Sequence, residues 1–490
     1  MLRKNLLIAA LIIPSVLFAQ TGKKAYSLDE CVSAALEHNR KIKMAKEQEG
    51  AASELKKAAF TQYLPNFSIN GAYTHQSKDY QLLEKDMFLP VVPYTAIDPA
   101  TGGLNQAALS TPAVAASTFV INPATGSVVT DASGNPVFQK YTYLPAAKTT
   151  FSLDNLYVLN GGLTQPVYLG GKIRTVNKMA EVTKQIAQNN TNLTTNELVY
   201  SVEEAYWRIV SLREKVKMAE AYRTLLVRLV SDLENIRKEG IITDNDLLKA
   251  KLKLSESEML TLKAKNGLEL SKMALAQIMG TSYSAEFIPA DSLNSAQEQK
   301  VYTVSEDQIT GRPELKILQN NSDMAQAGVK LMQSRYLPNI MLNAGYTSMN
   351  PSPYAGFAKE FGGDFTIGVV ANIPIFHFGD KLHTLRAAKH EKDAADMKLQ
   401  ETRELILLQL QQGVYQYNEA EKKTECANLA LQQSEQNLKY TEDNFREGRM
   451  KTTDLLEAQL LWQKSWSELI DSRTEQQMAT CNLKKITGKY

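Results

Sequence analysis

The sequence predicts an α+β membrane protein that is built from two internal repeats. Three observations predict this class: a long repeated segment, strands in which apolar and polar residues alternate, and helices of unusual length. The segment Tyr63–Thr74 returns as Tyr336–Thr347, and residues 238–250 return as residues 446–458. Two copies of this length set the architecture of a chain. We therefore expect two halves that form one body.

The start of the chain has the pattern of a secretory signal peptide. A basic start precedes an apolar run over residues 6–17, and a cleavage point follows at about Ala19. The apolar run is too short to span a membrane comfortably. We expect residues 1–19 to be the signal peptide, residues 20–290 the first structural repeat and residues 291–490 the second.

Composition argues against two classes of protein. The chain has 55 lysine and arginine residues against 53 aspartate and glutamate residues, and two of the basic residues lie in the signal peptide. A nucleic-acid partner would favour a basic excess, so we expect no nucleic-acid binding. Cys31, Cys426 and Cys481 are scattered and odd in number, which is not the pattern of a disulfide scaffold. We expect these cysteines to be small buried residues.

Each repeat has the order helix, strand, loop, strand, long helix, turn, long helix. Apolar and polar residues alternate over residues 67–74, 340–347 and 365–373. This period of two predicts strands with one apolar and one polar face. The second strand of the first repeat, within residues 151–165, is less regular, and we expect a β-bulge at Gly161 and Gly162.

Such strands suit either a half-buried soluble sheet or the wall of a membrane barrel. The neighbouring helices are mostly polar and offer little with which to cover a sheet, which favours the membrane. In lipid, a four-stranded sheet with open edges is forbidden because its unpaired backbone groups find no water. We therefore expect several chains to share one barrel.

The helices are unusually long. Residues 172–239 contain no glycine or proline, and a helix of that length spans roughly 100 Å. Its apolar residues between Val202 and Ile236 are three or four positions apart, which is typical of a coiled-coil seam. A filamentous or scaffolding coiled coil would explain these helices, but it would not explain the alternating strands.

Prolines and glycines mark the joints between elements. Pro65 and Pro338 end a helix before a strand, and Pro166 and Pro374 mark the exit from a strand into a long helix. The glycines at the helical turns are expected to adopt the left-handed conformation that ends a helix. The residues predicted for these turns are Gly240 and Gly448, with Thr243 or Asp244 and Thr452 or Thr453 as caps of the returning helices.

Together these residues resemble the TolC-type outer-membrane efflux protein family, also called outer membrane factors. The motifs are the duplicated Tyr-Leu-Pro-Asn at the start of a strand, the proline and glycine at the strand exit, and the helical turn Gly-x5-Asp-Leu-Leu-x-Ala. The resemblance covers nearly the whole mature chain. It implies a homotrimer with a 12-stranded β-barrel, four strands per chain, that continues into a long α-helical coiled-coil tunnel in the periplasm.

The resemblance also implies a function without catalysis or cofactor. Such proteins are passive exit ducts of tripartite efflux systems, surrounded by outer-membrane lipid. A periplasmic adaptor (membrane fusion protein) joins them to an inner-membrane pump, here expected to be of the resistance-nodulation-division type. Two alternatives remain: the outer-membrane duct of a type I protein secretion system, and a soluble periplasmic coiled-coil scaffold.

Pore and adaptor residues follow from the same resemblance. In this family, two inward carboxylates in the second helical turn narrow the tunnel mouth, and they match Asp454 and Glu457. The first repeat has Asp246 with Lys249 in place of the second acid. A ring of carboxylates would favour cations, whereas helix capping is the alternative role of Asp454 and Asp246. The residues expected at the adaptor contact are Gly240, Leu247, Leu248, Gly448, Leu455 and Leu456, with one leucine of each pair packed inside.

Several other features are expected to be structural. Residues 76–149 form an insertion with turn sequences at 97–102 and 121–126, which we interpret as a variable external loop. His377 is interpreted as structural. Tyr73 and Tyr346 are interpreted either as members of an interfacial aromatic belt or as residues that fill the barrel wall. Trp207, Trp462 and Trp466 are interpreted as packing anchors. The sequence contains no phosphate-binding glycine loop, metal-ligand cluster or nucleophile motif.

Overall fold

The computed structural model describes residues 25–151, 153–240, 242–283, 286–293, 304–488 and 490. The predicted signal peptide, residues 1–19, lies outside the described residues. The chain divides into two compact units. The helical unit comprises Met1–Thr61, Gly171–Tyr336 and Ile375–Tyr490, and the strand unit comprises Gln62–Gly170 and Leu337–Pro374.

The order of elements confirms the order predicted for each repeat. The helices are α1 (Leu28–His38), α2 (Arg40–Phe60), α3 (Gln106–Leu109), α4 (Pro112–Thr118), α5 (Lys172–Lys238), α6 (Asp244–Met279), α7 (Pro313–Ser334), α8 (Asp380–Arg446) and α9 (Thr452–Ile486). The strands are β1 (Ala25–Tyr26), β2 (Asn66–His75), β3 (Tyr80–Gln81), β4 (Met87–Pro90), β5 (Tyr141–Leu144), β6 (Thr150–Phe151), β7 (Asn155–Leu169), β8 (Ile288–Pro289), β9 (Asn339–Asn350) and β10 (Gly362–Asn372).

Two long hairpins dominate the helical unit. α5 and α8 each contain 67 residues, and they return as α6 with 36 residues and α9 with 35 residues. These matched lengths are those that a duplicated unit would give. The predicted seam of α5 is confirmed: Val202, Ile209, Leu226 and Leu233 have no exposed surface, because the apolar positions recur on one side of the helix.

The helices of this unit pack in a definite order. α2 packs against α5, α5 against α7 and α7 against α8. In the same unit, α6 packs against α5, α5 against α9 and α9 against α8. Among the described helices, α2 and α6 therefore lie at one end of the order and α8 lies at the other.

The strand unit contains the four-stranded antiparallel sheet that the alternation predicted, in the order β10-β9-β7-β2. Its register places apolar residues in one row across all four strands, as in Phe67, Leu163, Ala344 and Ile367. The opposite face is mixed: one of its rows is polar and consists of Asn70, Asn160, Thr347 and Asp364, whereas the next consists of Ala72, Val158, Met349 and Gly362. The sheet thus has one largely apolar face and one face that carries its polar row.

The bulge of β7 lies elsewhere than predicted. Gly161 and Gly162 pair regularly with Tyr346 and Gly345, and the register shifts instead between Pro166 and Tyr168. The glycines allow β7 and β9 to approach closely, since a Cβ on Gly345 would lie 3.1 Å from the Gly161 carbonyl oxygen. Val167 is the residue without a partner in this register, and Pro166 beside it has no N–H to donate to the ladder.

The predicted corner prolines are otherwise confirmed. Pro65 and Pro338 directly precede β2 and β9, and Pro374 follows the end of β10. Pro166 lies within β7, three residues before its end, and not at the strand exit as predicted. The strand continues past it because the neighbouring bulge accommodates the ring.

Aromatic rings cluster where the loops leave the sheet. The Tyr73 and Tyr157 rings are 5.1 Å apart, the Tyr157 and Phe361 rings 6.4 Å, and the Phe151 and Phe357 rings 5.1 Å. Aromatic rings of this kind gather at membrane–water interfaces. The clustering supports the belt predicted for Tyr73, which stays a prediction.

The insertion has its own short elements. Both predicted turns form: the Asp98 and Asn122 side chains accept hydrogen bonds from the backbone two residues on, at 3.0 Å each. Around the second turn, Ile121 and Val128 form an isolated bridge, and the Val129 N–H donates to the Val120 carbonyl at 2.8 Å. β4 and β5 pair with each other beside it.

Two further expectations concern burial and membrane crossing. Cys31 and Cys481 are buried as expected, whereas Cys426 is exposed on α8, so the expectation of three buried thiols is wrong at that position. Within the part of the chain that the structure describes, no helix combines the length and apolar character that crossing a membrane requires.

Candidate functional site

The candidate site lies at the two tips where the long helices reverse. At the first tip, Gly240 ends α5 with a left-handed backbone, φ +76°, and its N–H donates to the Arg237 carbonyl at 2.8 Å. At the second tip, Gly448 has φ +70° and donates to the Phe445 carbonyl at 3.0 Å. Both glycines therefore adopt the predicted helix-ending conformation.

The returning helices start differently at the two tips. Thr243 caps α6, as predicted, by accepting from the Asp246 N–H at 3.3 Å. At α9, the cap residue is Lys451, so Thr452 and Thr453 lie inside the first turn and neither is the cap. The prediction is wrong there because the Asp454 carboxylate, in the first turn of α9, accepts a hydrogen bond from the Lys451 N–H.

Leucines from both hairpins form the core of the tips. Leu247 and Leu455 are each 4 % exposed, and they join Leu233 and Leu438 in one buried cluster. The expectation that one leucine of each pair packs inside is confirmed. Leu247 and Leu455 thus stabilise the tip, and their side chains are not available to a partner in this arrangement.

The second leucine of each pair differs between the tips. Leu248 is 64 % exposed, whereas Leu456 is half-buried against the same cluster. An exposed leucine at a helical turn is a contact surface of the kind that protein partners bury. Leu248, Gly240 and Gly448 are accessible at the tips.

The predicted pore carboxylates are placed together on α9. Asp454 and Glu457 are exposed and three residues apart, so they lie on one side of the helix. The Asp454 Oδ2 atom accepts from the Lys451 N–H at 3.1 Å. Asp454 therefore has the capping role that the sequence left open, and its Oδ1 atom accepts from the Thr453 hydroxyl at 3.4 Å.

The equivalent carboxylate on α6 is held in a similar way. Asp246 Oδ2 accepts a hydrogen bond from the Thr243 hydroxyl at 2.6 Å. Lys249 is exposed one turn further along, where α9 has Glu457. The first tip therefore presents an acid and a base, and the second tip presents two acids.

The three tryptophans and His377, which the sequence predicts to be structural, contact apolar clusters or the backbone. Trp207 and Trp466 pack against one buried cluster and Trp462 against the tip cluster. His377 is exposed, with its Nδ1 atom 2.5 Å from the Phe376 carbonyl oxygen. The described residues contain no group of three or more histidine, cysteine or acidic side chains that could hold a metal ion.

Sequence reasoning missed one surface. α6 carries a second apolar face, named here the α6 stripe, whose members are 45–65 % exposed: Leu248, Leu252, Met259, Leu262, Leu270 and Met273. Their spacing of three, four, seven or eight residues is visible in the sequence. The opposite face of α6 is apolar as well, which hides the signal.

Comparison with known proteins gives sequence relatives. Residues 304–489 match the model of the family described as outer membrane efflux protein. Cobalt-zinc-cadmium resistance protein CzcC of Cupriavidus metallidurans is 23 % identical over 298 residues, which are 60 % of this chain and 68 % of CzcC. Outer membrane protein TolC of Vibrio cholerae is 20 % identical over 301 residues, which are 59 % of this chain and 67 % of TolC.

Solved structures extend the similarity in fold over nearly the whole chain. The structure of CusC has a TM-score of 0.72 and 14 % identity, and it covers 99 % of both chains. The outer membrane protein VceC from Vibrio cholerae has a TM-score of 0.69 and 15 % identity, covering 94 % of this chain and 96 % of VceC. The family resemblance read from the motifs is confirmed, and the outer-membrane location predicted from it is that of TolC and VceC, which are outer membrane proteins. In the sequence of residues 304–489 and in the fold of nearly its whole length, the chain is similar to the outer membrane efflux proteins.

Proposed function

We propose that three copies of this protein form a passive outer-membrane exit duct of a tripartite efflux system. The duct moves small molecules or drugs from an inner-membrane pump and the periplasm to the outside. One observation carries the proposal: the four-stranded sheet has an exposed apolar face and two free edges. Neither feature suits a chain that works alone in water.

The exposed apolar face of the sheet is suited to contact with lipid. Phe67, Ile69, Ile367 and Val369 lie on it and are 67–68 % exposed. Apolar side chains in such a contiguous row are normally covered. The long helices belong to the other unit, and the short helices α3 and α4 of the strand unit pack on each other, so among the described residues of this unit no helix covers the exposed apolar row. A hydrocarbon surrounding covers such a face and leaves the polar row with Asn70 and Asp364 for a watery interior.

The free edges call for further copies. β2 and β10 each pair on one side only. In lipid, the unpaired N–H and C=O groups of an edge strand are too costly to leave open. Pairing β2 of one copy with β10 of the next satisfies both edges. Three copies, the number that the family resemblance implies, give a closed barrel of 12 strands.

The helical unit has the same need for neighbours. α6 at one end of its helix order exposes the α6 stripe. α8 at the other end exposes apolar residues at helical spacing that are 49–76 % exposed, namely Met397, Leu408, Tyr415, Leu429 and Tyr440. We infer that these two surfaces meet between copies, so that the helices of the copies form one ring.

The tips supply the constriction and the partner contact. Asp454 and Glu457 project from α9, with Asp246 at the equivalent place on α6, and threefold repetition would bring these carboxylates together around the axis. Like charges in a narrow ring favour cations and resist free leakage. Leu248 and Leu456, with the turns at Gly240 and Gly448, are proposed to contact the periplasmic adaptor. Leu247 and Leu455 support that surface from beneath.

The energy for transport is proposed to come from the partner. Structures similar in fold include the outer membrane channels CmeC and MtrE. An inner-membrane pump of the resistance-nodulation-division type is the proposed source, joined through the adaptor. A type I secretion pump is the alternative partner. Which of the two pumps co-purifies with the duct after cross-linking in cells distinguishes small-molecule efflux from protein secretion.

Single-channel conductance in a planar bilayer tests the proposal. We expect detergent-extracted trimers to insert and to give a small, cation-selective conductance. Trimers of the Asp454→Ala, Glu457→Ala double variant should give a larger conductance with weaker cation selectivity. A folded protein that stays in solution without detergent and never inserts would contradict the duct and favour a periplasmic scaffold.

A further inference from the structure

A cavity of about 570 Å³ lies in the helical unit between α1 and the C-terminal end of α6. Its floor is apolar. The Tyr26 and Phe287 rings stack with their centroids 5.2 Å apart, and Cys31 and Met279 beside them are 1 % and 9 % exposed. A volume of this size is within the range of cavities that hold small organic molecules.

Hydrogen bonds hold the walls of the cavity in place. The Asn39 amide donates to the Ile278 carbonyl at 2.7 Å, which fixes the end of α1 against the end of α6. Gly280 allows this approach, since a Cβ there would lie 2.8 Å from the His38 carbonyl oxygen. The Tyr206 hydroxyl donates to the Tyr26 carbonyl at 3.0 Å. The cavity is therefore preformed, which lowers the entropic cost of binding.

The rim of the cavity is acidic. Asp29, Glu30 and Glu37 of α1 all line it. Lys272 lines it as well, but its Nζ atom is 2.8 Å from Glu269 Oε1, so its charge is already paired. His38 also lies at the rim and is 3.8 Å from Glu37. The three carboxylates outnumber Lys272 and His38, so the lining carries an excess of negative charge.

The pKa of the Cys31 thiol at the floor is shifted by the same combination of burial and negative charge. Burial raises its pKa to about 12, and the charges of Glu30 and Asp291 add to the effect. The thiol therefore stays protonated at neutral pH, and it adds an apolar surface to the floor. An anion entering this cavity would meet both low polarity and carboxylates.

We propose that this cavity binds a small organic cation with an aromatic body. The ring pair and the apolar floor match the body, and the carboxylates of α1 match the charge, as in other sites that combine aromatic rings with acidic groups. The site lies apart from the helical tips and is not needed for conduction. It therefore adds a binding activity to the proposed duct.

Binding of benzyltrimethylammonium to the full-length trimer in detergent tests the proposal. Isothermal titration calorimetry should show one site per chain for this cation and no binding of benzenesulfonate, which has the same ring and the opposite charge. The Asp29→Asn, Glu37→Gln double variant should bind the cation at least about tenfold more weakly, because two charges near the ligand are lost. The Ala34→Phe variant, which fills the cavity, should not bind it.

A matched control separates a local effect from a change in total charge. The Glu47→Gln, Glu391→Gln double variant removes two exposed carboxylates on α2 and α8 and should bind the cation as the unaltered chain does. Asp29 and Glu37 are exposed as well, so all charge variants are expected to assemble, and size-exclusion chromatography checks this. Equal binding of cation and anion, absence of cation binding, or unchanged affinity in the α1 double variant would each overturn the proposal. None of these results depends on conductance.

Discussion

Leu262 of α6 and Ile470 of α9 occupy equivalent positions in the two helical hairpins, yet Leu262 is 55 % exposed and Ile470 is 4 % exposed. The same contrast recurs 11 residues further along both helices, where Met273 is 45 % exposed and the equivalent Cys481 is 2 % exposed. Ile470 is covered because α9 packs against α5 of the other hairpin. α6 lies at the end of the helix order, so its equivalent face lacks such a neighbour within the described part of the chain.

The Leu262→Glu, Met273→Glu double variant should therefore fail to form trimers. If α8 of a second copy covers these side chains, each apolar side chain stabilises the assembly by about 1.5–3 kcal/mol. A carboxylate buried there without a partner costs several kcal/mol more. Native mass spectrometry of the detergent-solubilised protein should show monomers in place of trimers.

Lys263→Glu is the matched control for this surface. Lys263 neighbours Leu262 on α6 and lies beside the α6 stripe, so its replacement introduces the same charge outside the inferred contact. We expect it to leave the trimer intact. A double variant that assembles as well as this control would show that the α6 stripe faces something other than a second copy.

Much of the fold was predictable because its signals are local. The alternation in β2 and β9 fixes which face of each strand is apolar, whatever the rest of the chain does. Gly240 and Gly448 end helices because a left-handed residue without Cβ is needed there. The order of elements and the tip turns could therefore be read without knowledge of distant contacts.

The remaining features depend on which surface is covered, and periodicity does not carry that information. α6 is apolar on two faces, so its sequence does not reveal that the face with Leu262 is exposed while the face with Leu247 is buried. The bulge at Pro166 is similar, because a glycine pair and a proline are both compatible with a bulge. Only the register with β9 shows that the bulge lies at Pro166 and not at the glycine pair.

Lys249→Glu should make the duct more selective for cations. The substitution gives the first tip the same pair of acids that the second tip has at Asp454 and Glu457. Each added carboxylate near a narrow pore changes the energy of a passing ion by on the order of 1 kcal/mol, which is a several-fold change in relative permeability. Reversal potentials in a salt gradient across a planar bilayer measure this change.

Glu457→Gln tests the opposite direction at the second tip. Glu457 is a cleaner probe than Asp454, because the Asp454 carboxylate also caps α9 through the Lys451 N–H. We expect cation selectivity to fall while the thermal midpoint stays unchanged. If neither Lys249→Glu nor Glu457→Gln alters the reversal potential, these side chains do not line the constriction.

Gly448→Trp should abolish cross-linking to the adaptor. The residue has φ +70°, and a Cβ added to it would meet no other atom within 4 Å, so a large side chain would project from the tip into the space of a partner. A non-glycine residue with this backbone costs about 1–2 kcal/mol. Site-specific photo-cross-linking in cells measures the contact.

Gly448→Asn separates the two effects of that substitution. Asparagine tolerates the left-handed backbone and is small, so it tests backbone strain with little bulk. We expect it to retain cross-linking and assembly. Loss of cross-linking in both variants would point to distortion of the tip, and retention in both would remove Gly448 from the contact.

Glu314 should make the helical unit sensitive to acid. Burial is the largest single effect and would raise its pKa, but the hydrogen bonds from Arg312 and from the Glu314 backbone, together with the charges of Arg312 and Lys485, outweigh burial and hold the pKa below its ordinary value of 4.5. The pair joins Arg312 Nη2 to Glu314 Oε1 at 2.7 Å, and Arg312 is 6 % exposed. Because the folded-state pKa is lowered, the contribution to stability is complete above about pH 4.5 and is lost as the pH falls through the folded-state value.

Glu314→Gln should therefore lower the free energy of unfolding at pH 7 by roughly the 1–3 kcal/mol that leaving a buried donor poorly paired costs. The thermal midpoint should fall accordingly at pH 7, and its decline below pH 4.5 should be flatter than in the unaltered chain. Asp307→Asn, in the exposed turn before α7, is the control, and equal pH profiles for the two variants would show that the Arg312 pair does not stabilise the fold.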